Sequence, residues 1–202
     1  VSVTSGTPAP PPPTSSGNVV IYASDIPAAA RHGAWQVASD PLSPNQVKLR
    51  TADAGRAAVS EPLVAPTDYV DVTFNADANK TYRLWLRLRA SGNHVNNDSV
   101  WVQFSDALVS GSPMFRMNTT AGLMVNLDPG DGTPMSDWGW RNTSHWLSQP
   151  TAFTFPTSGM HTIRIQVRED GVEFDQIVLS PSTYLNTAPG PMTGDSTIVP
   201  KQ

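Results

Sequence analysis

The nine residues Tyr82–Ala90 (YRLWLRLRA) constrain this chain more than any other stretch. Leu84, Leu86 and Leu88 alternate with Arg83, Trp85, Arg87 and Arg89. A period of two belongs to a β-strand, whose successive side chains leave on opposite faces. One face of this strand must therefore enter a core while the other meets solvent or a ligand. The segment HTIRIQV at 161–167 repeats the pattern with Ile163, Ile165 and Val167 facing inward. Further strands are expected at 19–23, 34–38, 69–74, 99–104, 151–155 and 172–179, separated by turn residues. The helix-like stretches at 28–30 and 53–58 are too short to alter the class. The expected architecture is all-β, an antiparallel β-sandwich (jelly roll), and 202 residues suit one such domain.

Three segments divide the chain. Residues 1–18 consist largely of Pro, Ser, Thr and Gly around Pro10–Pro13, favour extended polyproline geometry and read as a linker. Residues 19–185 form the sandwich. Residues 186–202 (NTAPGPMTGDSTIVPKQ) either lie along it, with Ile198 and Val199 packing back, or continue into another linker. A chain opening at Val1 on a linker is expected to be a piece of a longer secreted protein with covalently attached neighbouring domains.

Several function classes are disfavoured. The net charge of −4, with 13 scattered Lys and Arg, offers no footprint for nucleic acid or an anionic membrane. No apolar run approaches the ~20 residues of a membrane helix. With no cysteine, thiolate metal sites and cysteine nucleophiles are excluded, and the composition suits bacterial export to an extracellular location. His32, His94, His145 and His161 have no metal-ligand spacing, and neither nucleophile nor phosphate motifs occur. A small glycosidase would require Glu61, Glu169 or Glu173 to meet a second carboxylate in a cleft.

What remains is a pattern suited to sugars. A sugar ring offers a flat C–H face and a fringe of hydroxyls, which aromatic platforms and directed polar groups recognise. The irregular stretch 122–148 contains Trp138, Trp140 and Trp146, three of the six tryptophans. Polar partners are available in Asn96, Asn97, Asp98, Arg141, Asn142, Arg168, Glu169 and Asp170. Arg168 and Glu169 exceed what the Asp170-Gly171 turn needs, and serve either a ligand or a surface ion pair. Trp35 and Trp101 fall within strands and read as packing residues, whereas Trp85, on the arginine face, suits either role.

Three segments resemble the galactose-binding-like β-sandwich modules, especially carbohydrate-binding module families 6 and 35 and the malectin-like domains. They are Tyr82–Ala90, Asn97-Asp98-Ser99-Val100-Trp101-Val102, and 159–179 with its G-x-H-T opening and D-x-I-x-L close at Asp175. The resemblance implies an antiparallel jelly roll with a ligand cleft among the loops at one end, and aromatic residues on the loop before Gly159, where Trp140 and Trp146 fall. It also implies a structural calcium held by Asp175. The usual Glu-Ala-Glu on the first strand is replaced by Tyr22-Ala23-Ser24-Asp25, leaving Asp25 as the substitute ligand. The expected function is non-catalytic binding of a polysaccharide or oligosaccharide, stacking sugars on Trp138, Trp140 or Trp146 and bringing an attached hydrolase or lyase to its substrate. A structural or adhesive module that keeps its tryptophans buried is the alternative.

Overall fold

A computed structural model describes residues 17–201. All but the last two residues of the expected linker at 1–18 lie outside the described residues. The chain forms the strands β1 (Val19–Tyr22), β2 (Gln36–Ser39), β3 (Val47–Arg50), β4 (Tyr69–Ala76), β5 (Tyr82–Ala90), β6 (Ser99–Phe104), β7 (Leu108–Val109), β8 (Ser112–Pro113), β9 (Leu123–Asn126), β10 (Gly139–Arg141), β11 (Ala152–Phe153), β12 (Gly159–Val167) and β13 (Val172–Ser180). All strand pairings are antiparallel, as the sequence predicts.

Two sheets face each other. The first is built on the long pair β5 and β13. The short strands β10 and β11 line up along the free side of β5, while β3 and β1 line up along that of β13, with β2 outside β3. The second has the order β4-β12-β6-β9. Leu84, Leu86 and Leu88 enter the space between the sheets with Ile163, Ile165, Val100, Val102, Phe104 and Val125, each 0% exposed. Residues 28–30 form one 3-10 turn, and 53–58 has no regular structure.

A register shift between Phe174 and Gln176 marks a bulge at Asp175 in β13. The extra residue keeps Phe174 and Ile177 both in the core while Asp175 and Gln176 meet the outer face of the sheet.

That outer face is covered. Trp85, Trp140 and Val178 pack there with Val199 as a second apolar cluster. The C-terminal residues run across it as a strap: Trp140 N–H donates to Pro191 O (2.9 Å), Asp195 N–H to Trp138 O (2.8 Å) and Gly194 N–H to Ser136 O (2.6 Å). Of the two expectations for 186–202, the structure has the segment lying along the sandwich. At Gly139 a Cβ would sit 1.9 Å from Met192 O, so glycine is needed for the strap to approach. Gly139→Ala is expected to displace the strap and cost about 2 kcal/mol. A thermal melt, with tryptophan emission reporting exposure of Trp140, checks this.

Candidate functional site

Buried polar side chains draw the loops at one end of the sandwich together. The loop after β5 is tied to the β12–β13 turn by Ser91 N–H donating to Gly171 O (3.0 Å). Asn97 Nδ2 donates to Ser91 O (3.1 Å) and Asp53 Oδ2 (2.9 Å). The Asp170 carboxylate accepts from Ala54 N (2.6 Å) and Arg56 N (3.1 Å), which holds the 51–60 segment in place.

Beneath these contacts lies a carboxyl pair. Asp98, 0% exposed, accepts from Asn126 Nδ2 (2.6 Å) and Asp128 N (3.0 Å). Glu169, 6% exposed, accepts from Ser99 Oγ (2.5 Å) and pairs with Arg168. Burial pushes Asp98 up to about 8, with the hydrogen bond and charge of Glu169 adding to the rise. Arg141 is buried alongside: Nε donates to Asn126 O (2.8 Å) and Nη2 to Asp128 O (3.3 Å), and burial lowers its pKa.

Asn97, Asp98, Glu169 and Asp170, expected to bind ligand, thus act chiefly as ties between loops. Asp98 and Glu169 are enclosed and spend their acceptors on protein donors. Asn97 and Asp170 present only an edge, to the floor of a cleft of about 250 Å³ shared with His94 and Asn96.

The tryptophans separate. Trp138 and Trp140 are both 0% exposed, which corrects the expectation that they are platforms. Trp138 is covered by the guanidinium groups of Arg87 (5.0 Å from the ring centre) and Arg89 (4.6 Å). Trp140 is enclosed with Trp85 and Val199 under the strap. The stretch 122–148 is also not one loop, because β9 and β10 lie within it.

Trp146 is 46% exposed. Its ring meets His145 edge-on at 4.5 Å, and the Arg168 guanidinium lies 5.7 Å from its centre. Arg168 is itself fixed by Ser99 Oγ (2.8 Å) and Glu169, so Trp146 is linked through it to the buried carboxyl pair. Beside Trp146, a cleft of about 470 Å³ is lined by Asn93, Val95, Asp128, Met135 and His145 among others. Asn93, Val95 and His145 were not anticipated. Asn93 (φ 53°) stands in a Ser-Gly-Asn turn, whose composition marked a loop but not a binding wall.

Asp25 and Asp175, the residues expected to hold calcium, are both engaged by groups of the protein. Asp25 pairs with Lys201 and accepts from Tyr22 N (2.7 Å), while Asp175, 0% exposed, pairs with Arg87. Each carboxylate thus already has a protein cation. No group of three or more His, Asp or Glu among the described residues is arranged to hold a metal ion. Of the three glutamates, Glu173 joins Lys48 and Arg89 in a buried ion network, Glu169 meets Asp98 inside the protein, and Glu61 is exposed. No helix among the described residues is long and apolar enough to cross a membrane.

No family model and no curated protein matches the sequence. Solved structures do resemble the fold. A GH26-CBM35 β-(1,4)-mannanase from Podospora anserina aligns with 84% of this chain at 16% identity and a TM-score of 0.51, and the aligned part is 28% of the mannanase chain. The C-terminal CBM6 of a marine laminarinase from Zobellia galactanivorans aligns with 81% of this chain and 98% of its own, at 10% identity and a TM-score of 0.45. A CBM6 module of Cellvibrio mixtus lichenase 5A, in complex with cellotriose, aligns with 80% of this chain and 95% of its own, at 12% identity and a TM-score of 0.46. At these identities the likeness is one of fold, an antiparallel β-sandwich.

Proposed function

We propose that this chain is a non-catalytic carbohydrate-binding module whose sugar site is Trp146 and the adjoining cleft. The observation that carries the reading is the half-exposed indole, anchored through Arg168 to buried groups and joined by its contact with His145 to a cleft of about 470 Å³ that His145 and Asn93 line. An aromatic face with a few directed polar groups is the combination a sugar ring needs. The enclosed carboxyl pair holds the loops in register without reaching the ligand.

The charges favour a neutral glycan. Asp128 lines the cleft, and Asp131 lies between its lining residues Gly130 and Gly132. Backbone and side-chain hydrogen bonds from Thr133 hold the Asp131 carboxyl below the usual carboxylate range, so it remains charged. Arg141 donates to Asn126 O and Asp128 O, and Arg168 Nη1 to Ser99 Oγ and Glu169, while Arg168 Nε is buried without a partner among the described residues. A uronic acid would meet the repulsion of these carboxylates. The mannanase likeness makes soluble β-(1,4)-mannan the first ligand to test, followed by cello- and laminari-oligosaccharides.

In its longer protein, the module would bring an attached secreted hydrolase or lyase to polysaccharide, where tethering offsets weak single-site affinity. Burial of Trp138 and Trp140 favours the second reading, a structural or adhesive module, and Trp146→Ala separates the two. Titration calorimetry with the neutral glycans is expected to show saturable binding that falls at least ~10-fold in Trp146→Ala, with the melting temperature unchanged within ~1 °C. Saturable binding retained in full by the variant moves the site elsewhere. Failure of every glycan to bind the folded chain rejects the sugar-binding reading.

A further inference from the structure

Arg87 is a cation with 0% exposure, and its hydrogen bonds all go to oxygen. Nε donates to Asp195 Oδ2 (2.7 Å), Nη2 to Asp195 O (3.1 Å), and Nη1 to both Leu42 O (3.2 Å) and Asp175 Oδ2. All three charged partners, Arg87, Asp175 and Asp195, have side chains that are 0% exposed. The oxygens come from the loop after β2, the bulge in β13 and the C-terminal strap, three segments with no other covalent reason to meet.

Two carboxylates and two carbonyls from separate segments are the donors that a calcium ion draws together. Here a guanidinium occupies the space between them, and the bulge at Asp175 turns Oδ2 of its carboxylate toward that group, while Oδ1 is buried without a hydrogen-bond partner among the described residues. The ring of Trp138 closes over the guanidinium at 5.0 Å. We propose that Arg87 does the work of a structural cation, so that the fold of this chain requires no calcium at Asp175. A planar five-donor cation can satisfy carboxylates on two sides at once, which a lysine ammonium does with less directional fit.

The test uses the full chain, melted in millimolar calcium and again in excess chelator. The two melting temperatures are expected to agree within ~1 °C, and a fall in chelator reversed by calcium overturns the proposal. Arg87→Met, which leaves two buried carboxylates facing each other, is expected to lower the melting temperature by ~10 °C or more, or to prevent folding. A variant as stable as the parent overturns the assignment of Arg87. Arg87→Lys keeps the charge and guards against a methionine variant too unstable to compare. It is expected to fold, melt several degrees below the parent and ignore calcium, whereas a calcium-dependent melt of this variant again overturns the proposal.

Discussion

A chain ending at residue 194 is expected either not to fold or to melt ~10–20 °C below the full-length protein. The eight residues removed include one of the two carboxylates on Arg87, and taking one partner from a buried ion pair costs about 3–5 kcal/mol. They also include Val199, 2% exposed, which covers Trp85 and Trp140. Burying a valine side chain contributes about 1.5–3 kcal/mol. Gln176 loses both of its bonds to the Val199 backbone (Nε2 to O, 2.8 Å; Oε1 from N, 3.2 Å), and Tyr22 Oη loses its acceptor, Val199 O (3.0 Å). These effects overlap, and about 5 kcal/mol for the whole deletion corresponds to the stated fall at 2–4 °C per kcal/mol for a domain of this size. Calorimetric melts of the two chains decide it. A difference under ~3 °C would mean that the strap rests on the sandwich without holding it.

The strap also explains where sequence reasoning succeeded and where it stopped. Strands Tyr82–Ala90 and Ser99–Phe104 are read to the residue and six others within a few positions, because their apolar residues mark the core side or form short apolar runs, whereas Val47–Arg50 and Leu123–Asn126 are not expected from the sequence. The short strands Gly139–Arg141 and Leu108–Val109 contain too few residues to show a period. Asp195-Ser-Thr-Ile-Val-Pro has a polar, turn-rich composition, and nothing local reveals that Asp195 answers an arginine 108 residues earlier. The arginine face of Tyr82–Ala90 therefore reads as solvent or ligand face, although a distant segment covers it. The same concealment governs the site. Trp138 and Trp140 are aromatics in an irregular stretch, as Trp146 is, and only the path of the strap determines which ring remains open. The turn Arg168-Glu169-Asp170-Gly171 was legible as exceeding the needs of a hairpin. Its purpose, anchoring Trp146 to a buried carboxyl pair, depends on contacts with Ser99 and Asp98 that spacing does not encode.

The buried acids give the domain a pH dependence opposite to that of a protein held by exposed ion pairs. Burial pushes Asp98 up to about 8, with the hydrogen bond and charge of Glu169 adding to the rise. An unfolded aspartate titrates near 3.9. Between these limits the folded protein holds at Asp98 a proton that the unfolded chain has released, so the stability this group contributes is fully present below about pH 4 and is lost as pH rises through about 8. Burial and Asp40 raise Asp175 as well, but its Oδ2 lies against the Arg87 guanidinium, which holds it as the charged partner of a buried ion pair. Asp40 acts in the other direction. Against the effect of burial, the Leu42 N–H and the cations Arg89 and Lys48 hold its carboxyl below the usual range, and its contribution disappears as pH falls through that lowered value. The domain is therefore expected to be most stable at mildly acidic pH and to lose about 3 kcal/mol, or ~10 °C in melting temperature, between pH 5 and pH 9. Asp98→Asn is expected to flatten this profile, since an amide can donate to Glu169 at any pH. Urea unfolding of the two proteins across this range measures both the slope and its origin. A parent whose stability is constant or rises from pH 5 to pH 9 would show that Asp98 is ionised in the native state, and that the neighbouring Arg141 and Arg168 balance it without a proton.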